Sequence, residues 1–292
     1  MKITKLKNST SHKNLAWWMF IIMKVLIPTL TLIVVPIVPI IFFNTDMIDF
    51  SLKILLTSDE EVELAIELLE QLNMSLTYLI GALLFFTVFN FWKKQNANKL
   101  FNANGNIYYS FYYLLFWIAS NILGYEKVQL TGIPLHLQYK LVLRGTFPQI
   151  ITDMWENHYD KNENSDLVEI LYSDNLTRKK EINLIISDTY FIKDEEISPE
   201  YRELSSIRVT SKLKDRRYLN NELVQKTREA MGIIRANGYT SIYVLSTANP
   251  QNNINIINSA FRFFGRFVGA KIYVMQKANG INSEYKKKYR II

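Results

Sequence analysis

The chain has 292 residues, 49% of them hydrophobic, and a formal net charge of +7. It contains no cysteine, which excludes disulfides, thiolate zinc sites and cysteine nucleophiles. The average conceals a division, because long apolar runs are confined to the residues before about 125, and the remainder is mixed and charged. The basic excess fits either Lys-rich loops at a membrane together with a solvated surface, or attraction to anionic lipid head groups or a phosphate-bearing ligand.

The first predicted element is a transmembrane helix at residues 16–43. Lys24 is the only charge in this run, which is longer than the roughly 20 apolar residues that cross a bilayer. Pro28, Pro36 and Pro39 each remove a backbone hydrogen bond and therefore predict kinks. No small-residue cleavage site follows the run, so we do not expect a cleavable signal peptide.

A second transmembrane helix is predicted at residues 75–92, a run without charge. The connecting loop, residues 44–74, is acidic and contains a predicted amphipathic helix at residues 59–72. Lysines precede the first run and follow the second, and short Lys-rich flanks mark the cytoplasmic side. We therefore expect a multi-pass protein of the inner (plasma) membrane, with residues 1–15 inside and a hairpin at residues 16–92.

Residues 93–125 form a basic linker followed by an uncharged, Tyr-rich stretch at 107–125. The stretch is just long enough to span a bilayer, but tyrosines favour the membrane interface. An interfacial or domain-packing helix and a third span both remain open. We favour the first alternative, which leaves the C-terminal domain in the cytoplasm, whereas a third span would place it outside.

Residues 126–292 are predicted to form one soluble α/β domain. Residues 128–143 could be one or two strands, or a strand followed by a helix. Short apolar runs at 183–188, 241–247 and 271–275 predict strands. One helix is predicted to follow a cap at Asn220 or Asn221 and to run to about Ala236, and another is predicted at 254–269. Continuous apolar strands that alternate with helices are typical of parallel sheets. The predicted fold class is therefore a transmembrane helical hairpin followed by a Rossmann-like, mainly parallel α/β domain.

Polar residues follow two of these strands, at the edge where parallel sheets bind ligands. The second group leads into a helix N-terminus, which favours an anion, and arginines on the long connection could fold over the same edge. The same residue types are also ordinary turn and cap residues. The candidate ligand-binding residues are Ser187, Asp188, Thr189, Arg208, Arg216, Arg217, Ser246, Thr247, Asn249 and Gln251.

The sequence carries no recognisable catalytic motif. Its three histidines are His12, His136 and His158, and it has no HExxH, nucleophile elbow, P-loop or dinucleotide fingerprint. We therefore predict a protein that is not an enzyme and that uses no catalytic residue, metal or cofactor.

Residues 234–277, IRANGYTSIYVLSTANPQNNINIINSAFRFFGRFVGAKIYVMQK, resemble the closing unit of SAVED sensor domains. That unit is an apolar strand, a short polar turn with a proline, a helix that ends near a glycine, and a final strand. With two predicted spans ahead of it, the chain is similar to the 2TM-SAVED effectors of bacterial CBASS anti-phage systems. The resemblance implies a cyclic-oligonucleotide sensor joined to helices that disrupt the membrane, with Thr247, Asn249 and the following turn at the ligand.

The leading hypothesis is a membrane-anchored sensor–effector. A nucleotide-type signal would bind the C-terminal domain, drive homo-oligomer formation and bring the hairpins together in the lipid bilayer, and no DNA binding is expected. The signal can do this only through a higher affinity for the assembled state. The alternative is a non-enzymatic structural or interaction subunit of an envelope or secretion assembly, in which the polar turn residues are only caps. A third hypothesis, an anchored enzyme, lacks an identifiable site.

Overall fold

The computed structural model describes residues 15–42, 58–71, 76–105, 107–152, 160–161, 168–174, 180–212, 218–262, 270–278 and 284–292. These residues fall into two compact units. The described residues within Met1–Phe101 and Leu114–Lys127 form the first, and those within Asn102–Tyr113 and Val128–Ile292 form the second. The first is helical, and the second is built on a β-sheet.

The helical unit begins with α1 (Leu15–Phe42), in which the residues Ile22–Leu26 form a π-helical turn. Within the described residues, α1 is the one helix that is long and apolar enough to cross a membrane by length and composition. The loop helix α2 (Asp59–Gln71) and the second hairpin helix α3 (Leu76–Asn96) follow. The helices predicted at residues 16–43, 59–72 and 75–92 are therefore confirmed as helices.

Helices α1 and α3 pack closely against each other. The indole Nε1 of Trp92 donates a hydrogen bond of 2.9 Å to Oγ1 of Thr31. A Cβ atom at Gly81 would lie only 2.8 Å from the carbonyl oxygen of Pro36, so the glycine permits this approach. The outer surface of α1 remains apolar, with Leu30 and Ile33 both more than half exposed.

The Tyr-rich stretch at 107–125 is only partly helical. Its helix α4 covers Tyr113–Ile122, and a ten-residue helix rises ~15 Å, about half of the hydrocarbon thickness. The residues before it are extended, and the backbone N–H of Tyr109 donates to the carbonyl of Gly132 at 2.8 Å. The described helix is therefore shorter than a bilayer span, and the number of spans stays a prediction.

The sheet unit contains one large and two small sheets. In one small sheet β1 (Lys127–Gln129) pairs with β2 (Gln149–Ile151), and α5 (Leu135–Leu143) lies between them in sequence, so residues 128–143 form a strand followed by a helix. In the other, β3 (Asp160–Lys161) pairs with β7 (Tyr218–Leu219). The large sheet contains β4 (Val168–Ser173), β5 (Glu181–Ser187), β6 (Ser205–Ser211), β8 (Ser241–Ser246), β9 (Lys271–Lys277) and β10 (Tyr285–Arg290).

The large sheet is mixed, with strand order β10-β9-β8-β5-β6-β4. Its four inner strands are parallel, but β10 runs antiparallel to β9 and β4 antiparallel to β6. The expectation of a Rossmann-like, mainly parallel sheet is therefore wrong. Both antiparallel strands lie at the edges of the sheet, and β10 is polar enough to resemble a Lys-rich tail, which an edge strand open to solvent tolerates.

The two faces of the large sheet are covered differently. On one face, the segment between β5 and β6 packs its buried Ile192, Ile197 and Leu204 against Ile185 and Leu245 of the strands. This segment includes the short helix α6 (Pro199–Arg202). The other face is covered by α7 (Asn221–Ala236), which packs on β4, β5 and β6, and by α5, which packs on β9. Residues on either side of Ile185 in β5 point to this second face.

The ends of two helices carry the polar residues that matter for the site. Helix α7 begins as expected, because the side chain of Asn220 caps it by accepting from the N–H of Leu223 at 2.9 Å. Helix α8 (Pro250–Ile256) starts four residues earlier than the predicted Ile254. Its cap is Asn249, and Pro250 occupies its first turn, where a missing N–H costs nothing. The predicted end of this helix, at 263–269, lies outside the described residues.

Candidate functional site at the carboxyl edge of the sheet

The carboxyl ends of β5 and β8 are tied together through Thr247. Its hydroxyl accepts from the backbone N–H of Asp188 at 3.0 Å and donates to the carbonyl of Tyr190 at 2.8 Å. The hydroxyl of Thr189 donates in turn to the carbonyl of Thr247 at 2.6 Å. Because β5 and β8 are neighbouring parallel strands that end at this edge, residues 187–189 lie next to residues 246–249, as predicted.

The carboxylate of Asp188 lies against the start of α8. Its Oδ2 accepts from the side-chain amide of Asn252 at 2.9 Å and from the N–H of Asn249 at 3.4 Å. Asp188 is only 6% exposed, and this burial raises the pKa of its carboxyl, an effect that the two hydrogen bonds partly offset. An external anion at this helix start would therefore have to displace a carboxylate of the protein itself.

Buried asparagines extend this network across the second face of the sheet. Oδ1 of Asn252 accepts from the N–H of Asn220 at 3.0 Å, and Nδ2 of Asn220 donates to Oγ of Ser211 at 3.2 Å. The hydroxyl of Ser246 donates to Oδ1 of Asn253 at 3.1 Å. Asn252 and Asn253 were not among the candidate residues predicted from the sequence. The available signal was the group of three asparagines around Pro250, shortly after the end of β8.

Ser187 and Gln251 are held by contacts of other kinds. Oγ of Ser187 accepts from the N–H of Ile192 at 3.2 Å, which turns the chain back over the first face of the sheet. Oε1 of Gln251 accepts from the hydroxyl of Thr152 at 2.7 Å, and Gln251 is half-buried. Gln251 and Thr189 are the members of the predicted set at this edge that keep partial access to solvent.

The structure places Arg208 beside the turn that follows β5, and its side chain does not join the Asp188 network. Its guanidinium donates to the carbonyl of Ile192, bonds Asp194 at 2.5 Å, and lies 4.9 Å from the ring centre of Phe191. It therefore holds the turn that follows β5. Arg216 and Arg217 lie outside the described residues, and their role stays a prediction.

The described histidine contacts residues of β9 and β10 and does not bond the Asp188 network. The His136 ring stacks on Tyr289 at 3.7 Å, and its Nδ1 lies 3.1 Å from Oε1 of Gln276. Burial lowers the pKa of His136 to about 4, so the ring is neutral near pH 7. His12 and His158 are outside the described ranges. Within those ranges, no group of three or more His, Asp or Glu side chains could hold a metal ion.

Comparisons with curated proteins and with solved structures cover at most part of the chain. No curated protein matches it. Among solved structures, the Acinetobacter baumannii Cap4 SAVED/CARF-domain-containing receptor with the cyclic trinucleotide 3′3′3′-cAAA gives a TM-score of 0.43 at 10% identity, covering 61% of this chain and 42% of the receptor. The same receptor with 2′3′3′-cAAA gives 0.42 at 11% identity, covering 61% and 41%. The chain thus spans about two-fifths of these receptors, and the scores are too low to assign a fold or ligand.

The family comparison covers nearly the whole sequence. The model of the SMODS- and ubiquitin system-associated 2TM effector domain matches residues 10–292. The match includes both hairpin helices and the entire described sheet unit. The chain therefore belongs to this family, which confirms the predicted resemblance to 2TM effectors and makes it a membrane protein.

Proposed function

We propose that this protein is a membrane-anchored sensor–effector of anti-phage defence. The sheet unit, on the cytoplasmic side, binds a nucleotide-type signal at the carboxyl edge of β5 and β8. Binding favours an assembly of several copies, and the gathered transmembrane helices then disrupt the membrane. The effector role is supported by the family to which the chain belongs. The sensor role is supported by the polar residues at the carboxyl edge of the sheet.

The observation that carries the proposal is the bonding of Thr247. One side chain fixes the residues that follow β5 and the residues that follow β8, so two loops from different parts of the chain have a defined relative position. Preorganised loops bind a ligand with a smaller entropy cost than mobile loops do. Thr189 and Gln251 add polar groups with access to solvent at the same edge.

The membrane side of the proposal rests on the surface of α1. Leu30 and Ile33 are 54% and 53% exposed, which suits contact with lipid or with further copies of the hairpin. A ligand can drive assembly only if it binds the assembled state more tightly than the separate chains. The proposal therefore requires that signal binding and the size of the assembly change together.

The test uses the full chain in lipid nanodiscs. Isothermal titration with a panel of cyclic di- and trinucleotides, 3′3′3′-cAAA included, should give binding for at least one compound, and mass photometry of detergent-solubilised protein should give a larger particle with that compound. Thr247→Val should weaken binding by tenfold or more. The matched control is Thr240→Val at the opposite end of the same strand, where the hydroxyl donates to Lys180 O at 3.3 Å, and its binding should equal wild type.

Absence of binding across the whole panel would remove the sensor proposal. In that case a stable protein partner recovered without nucleotide would support the alternative interaction subunit. Equal binding by Thr247→Val and wild type would move the site away from this edge of the sheet.

A further inference from the structure

Two large aromatic side chains are exposed immediately after the carboxyl end of β5. Tyr190 is 48% exposed and Phe191 is 43% exposed, while their neighbours Asp188 and Ile192 are buried at 6% and 0%. The chain thus presents two rings to solvent between two buried anchors. Neither ring is needed to fill the core beneath this segment, which is formed by Ile192 and the residues that follow it.

The backbone beneath the two rings is fixed on both sides. The carbonyl of Tyr190 accepts from the hydroxyl of Thr247, and the N–H of Ile192 donates to Oγ of Ser187. These bonds tie the segment to the ends of β8 and β5. A ligand that contacts the rings would therefore not have to order the loop, which favours its affinity.

Each ring is also positioned by a cation. Nζ of Lys277 lies 5.3 Å from the ring centre of Tyr190, and the guanidinium of Arg208 lies 4.9 Å from that of Phe191. Cations at this distance are attracted to the ring face. They are in turn held by carboxylates of one turn: Lys277 by Glu196 at 2.8 Å and Arg208 by Asp194 at 2.5 Å.

We infer that Tyr190 and Phe191 form the surface on which the bases of the nucleotide signal stack, with Lys277 and Arg208 as positioning residues. This inference rests on the proposed function, because it names the part of the nucleotide that is recognised. Rigid aromatic faces suit planar bases, and stacking of a base on an aromatic side chain contributes ~1–3 kcal/mol. Since both cations are already paired with carboxylates, base stacking rather than phosphate charge dominates binding at this point.

The inference explains why the residues that the sequence singled out are mostly buried. Asp188, Thr247 and Asn249 are each less than 10% exposed and bond one another. They build the frame, and the contact surface is the aromatic pair that this frame holds above the sheet edge. The backbone carbonyl of Tyr190 is the direct link between the two.

The experiment measures stacking on the full chain in nanodiscs. The probe is 3′3′3′-cAAA with 2-aminopurine in place of one adenine, or the equivalent analogue of whichever compound in the panel binds wild type, because stacking quenches 2-aminopurine fluorescence. Wild type should bind with quenching. Tyr190→Ala and Phe191→Ala should each raise Kd by ~5-fold or more, as expected for the loss of ~1 kcal/mol or more of stacking, and reduce the quenching.

Three control variants separate stacking from damage to the fold. Tyr190→Phe and Phe191→Tyr keep the rings and should retain the wild-type Kd and quenching. Tyr112→Ala removes another tyrosine of the sheet unit, 85% exposed, and should also leave both unchanged. Thermal unfolding of the Phe191 and Tyr112 variants should match wild type, and both Tyr190 variants should show the same small loss, because the Tyr190 hydroxyl bonds the buried Tyr285.

The outcomes distinguish this inference from the proposed function. If wild type and the Tyr190→Ala/Phe191→Ala double variant bind with equal Kd and equal quenching while Thr247→Val loses binding, the stacking surface is wrong and the sensor site stands. If no nucleotide of the panel binds wild type, both fail together. Capture of a protein partner that is lost in the double variant, without nucleotide binding, would assign the rings to a protein interface instead.

Discussion

The two units place their apolar residues in opposite environments. In the sheet unit Leu184 and Val244 are fully buried between strands and covering helices, whereas in the helical unit Leu30 and Ile33 are more than half exposed. The sheet unit therefore carries its own hydrophobic core and its polar groups bond one another. The helical unit leaves an apolar surface exposed, so its stability should depend on what covers that surface.

The largest difference in stability between the two units is expected when an isoleucine is replaced by alanine in each of them. Ile186→Ala removes a fully buried side chain near the carboxyl end of β5 and should lower the free energy of unfolding of the sheet unit by ~2–5 kcal/mol. Ile33→Ala, at a residue that is 53% exposed, should change the same quantity by less than ~0.5 kcal/mol. Urea denaturation in detergent, followed by the strand signal in circular dichroism, measures both. Equal losses would show that the helical surface contributes to the sheet core.

A lysine in place of an exposed apolar residue should affect the helical unit more than the sheet unit, which is the reverse of the alanine truncation. Ile33→Lys puts a charge within a span, at a cost of ~2.5–3.5 kcal/mol for a central position, and should increase the fraction of protein released from membranes by alkaline carbonate. Leu171→Lys, at a residue of β4 that is 61% exposed, should leave that fraction and the unfolding of the sheet unchanged. Identical behaviour of the two variants would contradict the assignment of α1 to the membrane.

The polar network is expected to contribute less than the core but to add a pH dependence. Asp188→Ala leaves the amide of Asn252 without this acceptor and should destabilise the sheet unit by ~1–3 kcal/mol. Asp188→Asn retains an acceptor and should be less destabilising near pH 7.

The sign of the pH effect follows from the raised pKa of Asp188. Burial makes the folded state hold this proton more tightly than the unfolded state does. The stabilisation from this group is therefore full below the unfolded pKa, ordinarily 3.8, and is lost as the pH rises through the folded pKa. Subtracting the Asp188→Asn stability profile from the wild-type profile should give a difference that falls from pH 3.5 to pH 7. A difference that rises over this range would mean that the folded carboxyl favours its charged form.

The smallest contrast concerns two helical glycines. Gly81→Ala would place Cβ 2.8 Å from the carbonyl oxygen of Pro36 and should loosen the α1–α3 pair, lowering the SDS concentration at which helical circular dichroism is lost. Gly232→Ala in α7 meets no atom within 4 Å and should instead stabilise the sheet unit by up to ~1 kcal/mol, because alanine favours helix. Thermal unfolding measures the second change. A stabilised α1–α3 pair in Gly81→Ala would show that the helices do not pack as described.

The sequence was sufficient where a segment is strongly apolar. The strands β5, β8 and β9 and the helices α1 and α3 follow from uninterrupted apolar runs, and α7 follows from Asn220 before it and Gly238, with φ +69°, after it. These signals are local, so no knowledge of the remaining chain is needed.

The missed strands lack such a local signal. β10 carries Lys286, Lys287, Lys288 and Arg290, and it forms a strand because β9 offers a free edge for pairing. β6 alternates polar and apolar residues within a connection that is charged as a whole. In both segments the partner strand, and not the composition, decides the structure. The mixed sheet could therefore not be predicted from the apolar runs alone.

Part of the site could be predicted from the order of the strands alone. The ends of neighbouring parallel strands must meet, which places Asp188 beside Thr247. The bonds of Asn252 join residues that are 32 and 64 positions apart in sequence, so they depend on how α7 and α8 are packed. The exposure of Tyr190 and Phe191 likewise follows from the buried position of Ile192 beside them, which only the folded chain reveals.

The central claim, that a signal bound by the sheet unit acts on the membrane, is tested most directly by dye release. The full chain is reconstituted in vesicles of phosphatidylethanolamine and phosphatidylglycerol that contain a self-quenched dye, and the nucleotide that binds in titration is added. At a nucleotide concentration near the wild-type Kd, we predict rapid release with wild type and with Thr240→Val, much slower release with Thr247→Val, and no release without nucleotide. Vesicles that stay sealed while wild type is saturated with nucleotide would contradict the sensor–effector account.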